Sequence, residues 1–124
     1  MAYDNPVLVK SHDAAADLSS DQFKAVAYDG SGNLVVAGVG ASACGFLQND
    51  PDDVGKAGDV MMLGISRAIA GAAVLKGAKL ASDASGRVVT AGTGNHVIAI
   101  AQAAAGAAGE IIPVLVTLGG APLA

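Results

Sequence analysis

The chain is poor in the residues that most small domains use for anchoring or chemistry. Cys44 is its one cysteine, so no disulfide can form within it. The flanking Ala43, Gly45 and Phe46 make Cys44 read as a buried strand residue, and a reduced, intracellular origin is expected. Tryptophan is absent, and Tyr3, Phe23, Tyr28 and Phe46 are the only aromatic rings. A core built here must therefore come from Ala, Val, Ile and Leu, and four rings are too few to stack convincingly on a sugar. Basic residues are scarce as well: seven Lys and Arg, scattered from Lys10 to Arg87, face eleven acids for a net charge of -4. Without a basic cluster to neutralise phosphates, no nucleic-acid partner is expected. The opening "MAYDNPVLVKSHDAA" lacks the charged start and apolar stretch of a signal peptide, so synthesis in the cytoplasm is expected. The apolar tail Val97 to Leu118 is broken by Gln102, Glu110 and Pro113, and its Ala/Gly-rich middle argues against a membrane span.

Apolar content, by contrast, is plentiful. Hydrophobic residues make up 52% of the chain and charged ones only 15%, for a mean hydropathy of +0.52. That balance suggests a surface covered in part by another chain. At 124 residues the chain is long enough for one domain that buries roughly two thirds of its unfolded surface.

The strongest internal signal is a repeat. "YDGSGNLVVAG" from Tyr28 returns as "SDASGRVVTAG" from Ser82, an offset of 54. Identities at this offset include Asp29/Asp83, Ser31/Ser85, Gly32/Gly86, Val35/Val89, Ala37/Ala91, Gly38/Gly92, Gly40/Gly94 and Gln48/Gln102. Further along, "KAGDVMML" matches "AAGEIIPV" if the first copy carries a loop three residues longer around "NDPDDVGK". The reading is a duplicated unit after an N-terminal arm at residues 1–15. Pseudo-repeats at about 16–66 and 70–118 then form one β domain over 16–124.

Each unit reads as β structure. "KAVAYD" and "AKLASD" run into an Asp-x-Ser-Gly turn, where the Asp side chain bonds following amides and Gly accepts positive φ. "NLVVAG" and "RVVTAG" return as second arms of hairpins, followed by short apolar strands, "CGFLQ" or "VIAIAQ", and longer ones, "VMMLGIS" or "IIPVLVTL". The Ala-rich stretches could be scored helical, but Gly71, Gly77, Gly106 and Gly109 each weaken a helix by about 1 kcal/mol relative to Ala. At most short helical turns are expected, the best placed at Gln102 to Ala105. The predicted fold is mainly β, a compact β-barrel or β-tulip-like domain.

Candidate chemistry is thin. Gly38-Val39-Gly40-Ala41-Ser42-Ala43 satisfies the dinucleotide pattern G-x-G-x-x-A, but Gly45 and Pro51 leave no room for the helix that must present amides to a pyrophosphate. Gly64-Ile65-Ser66-Arg67-Ala68 half-resembles a nucleophile elbow, with Ala in place of the final Gly and no partnered His. His12 and His96 sit alone. Asp50, Asp52, Asp53 and Asp59 cluster without calcium-loop spacing and read as a solvated acidic loop. A biotinyl or lipoyl carrier would need a lysine where Met61 and Met62 stand; these read as core or interface filling. No catalytic residue, cofactor or metal is expected.

Taken in order, "MAYDNPVLV", "DLSSDQFKAVAYDGSGNLVVAG", "GFLQNDPDDVGKAGDVMMLGISRAIAGAAVLKGAKLASDASGRVVTAG" and "AAAGAAGEIIPVLV" resemble the capsid cement, or head decoration, proteins of tailed bacteriophages over nearly the whole chain. No single piece is specific; their order carries the likeness. The resemblance implies a compact β fold, often trimeric, on the outside of an expanded icosahedral head at junctions between capsomers of the major capsid protein, with no catalytic residue to carry over. The competing readings are another phage structural β module, such as a tail or baseplate domain or a carbohydrate-binding tip, and an enzyme.

For the partner interface the expectation falls on the arm Ala2 to Lys10. It holds Pro6, and its "VLV" could add an edge strand to a neighbour or to the shell, giving Tyr3, Asn5, Pro6, Val7 and Val9 as contact residues. A first strand frayed or packed on its own body is the open alternative.

Overall fold

The computed structural model describes residues 3–118 and residue 122. Nine strands run in the order β1 (Asn5–Asp13), β2 (Ala25–Tyr28), β3 (Leu34–Val36), β4 (Gly45–Leu47), β5 (Ala57–Ile69), β6 (Lys79–Ser82), β7 (Val88–Thr90), β8 (Ala99–Ala101) and β9 (Ile111–Val116). Among the described residues there is no helix; Gln102 to Ala105 is a bend leading into a single bridge with Val74. All strands belong to one antiparallel sheet that curls into a half-barrel. Among the described residues no helix is long and apolar enough to cross a membrane.

The duplication is written into the hydrogen-bond register. Val26 pairs with Val36 as Leu80 pairs with Thr90, Ala25 with Phe46 as Lys79 with Ile100, and Phe46 with Met61 as Ile100 with Leu115. Every pair is displaced by the same 54 residues. The loop difference expected around "NDPDDVGK" is therefore absent: Met61 corresponds to Leu115, because strand pairing and not local residue identity fixes which positions are equivalent. The turns match too. Asp29 Oδ1 accepts the amides of Ser31 and Asn33 at 2.8 and 2.9 Å, and Asp83 Oδ1 those of Ser85 and Arg87 at 2.8 and 2.9 Å.

The long strand β5 belongs to both units. Met61 pairs with Phe46 and with Val9, and Ile65 pairs with Leu115 and with Asn5. A residue with two ladder partners carries one on each side, so β4 and then β9 lie along one edge of β5 while β1 lies along the other. The pairing of β1 with the first half of β5 repeats that of the second half of β5 with β9: Lys10 with Val60 corresponds to Ser66 with Val114, and Asp13 with Ala57 to Ile69 with Ile111. The correspondence thus extends from the repeats into β1.

Each unit has its own apolar kernel. Ala14, Leu18, Val26, Leu34, Cys44, Leu47 and Val60 cluster in the first, and Ala70, Val74, Leu80, Val88, Ile98, Ala101 and Val114 hold the matching places in the second. Ala25, Ala37, Ala43 and Phe46 of the first unit join the second kernel and so form the seam between them. Phe46 is the largest fully buried side chain among the described residues. Backbone bonds tie the seam: Ala25 N–H donates to Gly86 O at 2.8 Å, and Gly40 N–H to Ser82 O at 2.9 Å. Phe23 adopts φ of 67° where its counterpart Gly77 adopts 87°. That strained backbone places the Phe23 ring under the Arg67 guanidinium, 5.7 Å away across the seam.

Candidate functional site

Strand β1 is the most exposed element of the sheet. Eight of its nine residues face solvent, His12 being the exception, and Val7 is 71% exposed. Among the described residues β1 pairs only with β5, so about 30 Å of strand leaves its other backbone edge free. Aliphatic side chains at such an edge, with no lysine before Lys10, form a template that a second strand could extend.

The sheet face beside this edge is apolar as well. The register sets Leu8 opposite Leu63 and Ile65 opposite Leu115, and alternation puts Leu63 and Ile65 on one face of β5. Leu8, Leu63 and Leu115 are 44%, 49% and 37% exposed. Register shifts in β1 between Pro6 and Leu8, and between Leu8 and Val9, interrupt the ladder here. Such bulges twist an edge and re-aim its side chains. Gly64 makes the first one possible. It adopts φ of +121°, and a Cβ there would meet Asn5 O at 2.6 Å and Val7 N at 2.8 Å.

Of the interface residues predicted from the sequence, Asn5, Pro6, Val7 and Val9 lie within exposed β1, and Tyr3, 44% exposed, lies two residues before it. All five lie on a strand, or its approach, that is hydrogen-bonded along β5. Side chains pin it further: Asp4 Oδ1 lies 3.4 Å from Arg67 Nε, Ser11 Oγ donates to Asp59 Oδ1 at 2.6 Å, and His12 Nε2 meets Tyr28 Oη at 3.1 Å. Sequence reading missed Leu63, Ile65 and Leu115, which join Leu8 of the "VLV" arm on a face that arises from register between distant strands.

The other candidates resolve into structural roles. Ser66 is fully buried inside β5; its hydroxyl accepts from Gln48 Nε2 at 2.9 Å and donates to Arg67 O at 2.8 Å, so the segment is a strand and not an elbow. Gly40 of the dinucleotide-like stretch is buried, and its carbonyl accepts from the His96 amide. Asp52 bonds Lys56 at 2.7 Å, which holds its carboxyl below the ordinary range. Among the described residues no three potential metal-ligating side chains converge. A shallow groove of about 450 Å³ lies between Tyr28, Cys44, Met62 and Leu118. Burial pushes the Cys44 thiol up to about 11, which keeps it protonated and unreactive at neutral pH.

Comparison with known proteins agrees with this picture of a structural sheet. No curated protein matches the sequence. In structure the chain is similar to the N base of the head fiber gp8.5 of bacteriophage phi29, with a TM-score of 0.69 over 89% of this chain and 93% of that one; at 17% identity this is a likeness of fold. The family model described as phage cement protein matches residues 7–118, from the exposed edge strand through both repeats to the end of the last strand, and the chain therefore belongs to the phage cement protein family.

Proposed function

We propose that this phage capsid structural protein decorates the outside of the expanded head, binding as a homotrimer at junctions between capsomers of the major capsid protein. The observation that carries this reading is the open apolar edge of β1 with the stripe Leu8, Leu63, Ile65 and Leu115 beside it. A rigid sheet presenting such an edge can adhere to a repeating surface by strand addition and apolar contact, without any reactive group. Binding at several points per assembly makes modest contacts sufficient, because the first attachment raises the effective concentration for the next. The protein would take no part in catalysis: the buried hydroxyl of Ser66 and the protonated thiol of Cys44 are both unsuited to attack.

Co-sedimentation with purified heads tests the reading. The full chain is expected to pellet with expanded heads and to stay in solution with unexpanded ones, since cementing on this reading requires the expanded lattice. Deleting residues 2–9, or replacing Val7 and Leu8 by Lys, should lower occupancy at least tenfold. Equal pelleting with both head forms, or full occupancy by the deletion, would overturn it.

A further inference from the structure

The duplication shows how one copy of this fold packs on another, and the packing is one-sided. The hairpin turn of the second unit is seated on the first. Ser82 and Gly86 are buried, Ser82 Oγ donates to Ala37 O at 3.2 Å, and a Cβ on Gly86 would meet Val36 Cγ1 at 2.6 Å and Ala25 O at 2.9 Å. The face that receives this turn is buried too, at Ala25, Ala37 and Gly40.

The counterparts of both halves of that contact are open. In the first unit the matching turn has Tyr28 45% exposed, and a Cβ on Gly32 would have nothing within 4 Å. On the second unit the matching face has Lys79 and Gly94 exposed where Ala25 and Gly40 are covered, with Thr90 exposed beside them. A two-fold arrangement would have used both contacts or neither. The internal seam is therefore heterologous, with one used turn, one used face, and one of each left over.

We propose that separate copies of this chain associate head to tail, the Tyr28–Asn33 turn of one copy seating on the Lys79, Thr90 and Gly94 face of the next. The occupant is a second copy because the free turn repeats the hydrogen bonding of the turn already accepted inside the chain, with Asp29 and Asp83 making the same paired amide bonds and Gly32 in the place of seated Gly86. Tyr28, at the base of the turn where β2 ends, supplies an aromatic anchor, the residue type that dominates such contacts. Repeated with closure, this contact builds a ring. The inference rests on the self-association part of the reading above and is independent of head binding.

Blocking variants test it. Gly32→Asn on the turn and Thr90→Arg on the face both change positions that are exposed in the free chain, and Gly32 corresponds to Gly86, where any Cβ would strike the receiving face. Native mass spectrometry of the full chain should show concentration-dependent oligomers for the parent and monomers for each variant alone. Mixing the variants should restore one-to-one heterodimers and nothing larger, because the mixture retains one working turn and one working face. Heterodimers fewer than one tenth of the mixed protein, oligomers in either variant alone, or a parent that stays monomeric at several hundred micromolar would overturn the proposal. If either variant loses the parent's circular dichroism, Tyr28→Arg, at the place of buried Ser82, and Lys79→Glu form a second pair at exposed positions, read by the same outcomes. Head co-sedimentation of the parent separates failure here from failure of the capsid reading.

Discussion

Replacing Gly64 with alanine would test how β1 is held against the body without removing any of its side chains. At φ of +121° a residue with a Cβ is strained by about 1–3 kcal/mol. The new methyl would also meet Asn5 O at 2.6 Å, Val7 N at 2.8 Å and Pro6 Cα at 3.1 Å, all of them backbone atoms that no rotamer change can move. The strand must therefore lift away at its start, giving up the pairing of Asn5 with Ile65 and Pro6 with Gly64. Two lost backbone bonds add about 1–3 kcal/mol, so the total is about 2–6 kcal/mol against a domain stability of about 5–15 kcal/mol. In urea this lowers the unfolding midpoint by about 1–3 M. Amide exchange should localise the damage: protection is expected to fall near Val7 and Leu8 and to persist from Lys10 to Asp13, whose partners Val60 to Ala57 are untouched. A variant with the parent's midpoint and unchanged exchange along β1 would refute the claim that close backbone approach at Gly64 sets the path of the strand.

Other perturbations probe the seam, the turns and the buried thiol. Phe46→Ala should cost about 3–5 kcal/mol in urea unfolding, whereas its half-buried counterpart Ile100→Ala should cost distinctly less; equal losses would contradict a seam that covers only the first of the two. Asp83→Ala and Asp29→Ala each remove two side chain to amide bonds, about 1–2 kcal/mol. Asp83 should be the more costly, because its turn is seated and it also pairs with Arg87 at 3.2 Å. The folded Cys44 thiol titrates near 11 instead of 9.0, so above pH 9 the unfolded chain releases a proton that the native one keeps. Stability from this group is constant below about pH 9 and declines as pH rises through 11, a decline that Cys44→Ala should abolish in pH-dependent melting. Native protein at pH 8 should also react with a thiol reagent far more slowly than urea-unfolded protein.

The short-range features were written plainly in the residues. Asp29 and Asp83 each sit two before a Ser and three before a Gly, and that local pattern determined both turns and the hairpins around them. The same holds for the strands: three of the apolar runs read from sequence contain β4, β8 and β9, and a fourth, "VMMLGIS", forms the middle of the longer β5. The equivalence of Met61 with Leu115 was harder to see, because β5 and β9 share little residue identity and only their ladders with β4 and β8 align them.

What the chain's sequence determined alone was a duplicated, aliphatic β unit with no disulfide and little charge, since turns and alternation depend on neighbours a few residues apart. Tertiary structure decided the rest. Only folding could put Leu8 beside Leu63 and Leu115, make β5 serve both units, and bury Gly86 of one Asp-x-Ser-Gly turn while leaving Gly32 of its twin exposed. The two turns are locally alike, and their different fates follow from contacts between residues some fifty positions apart.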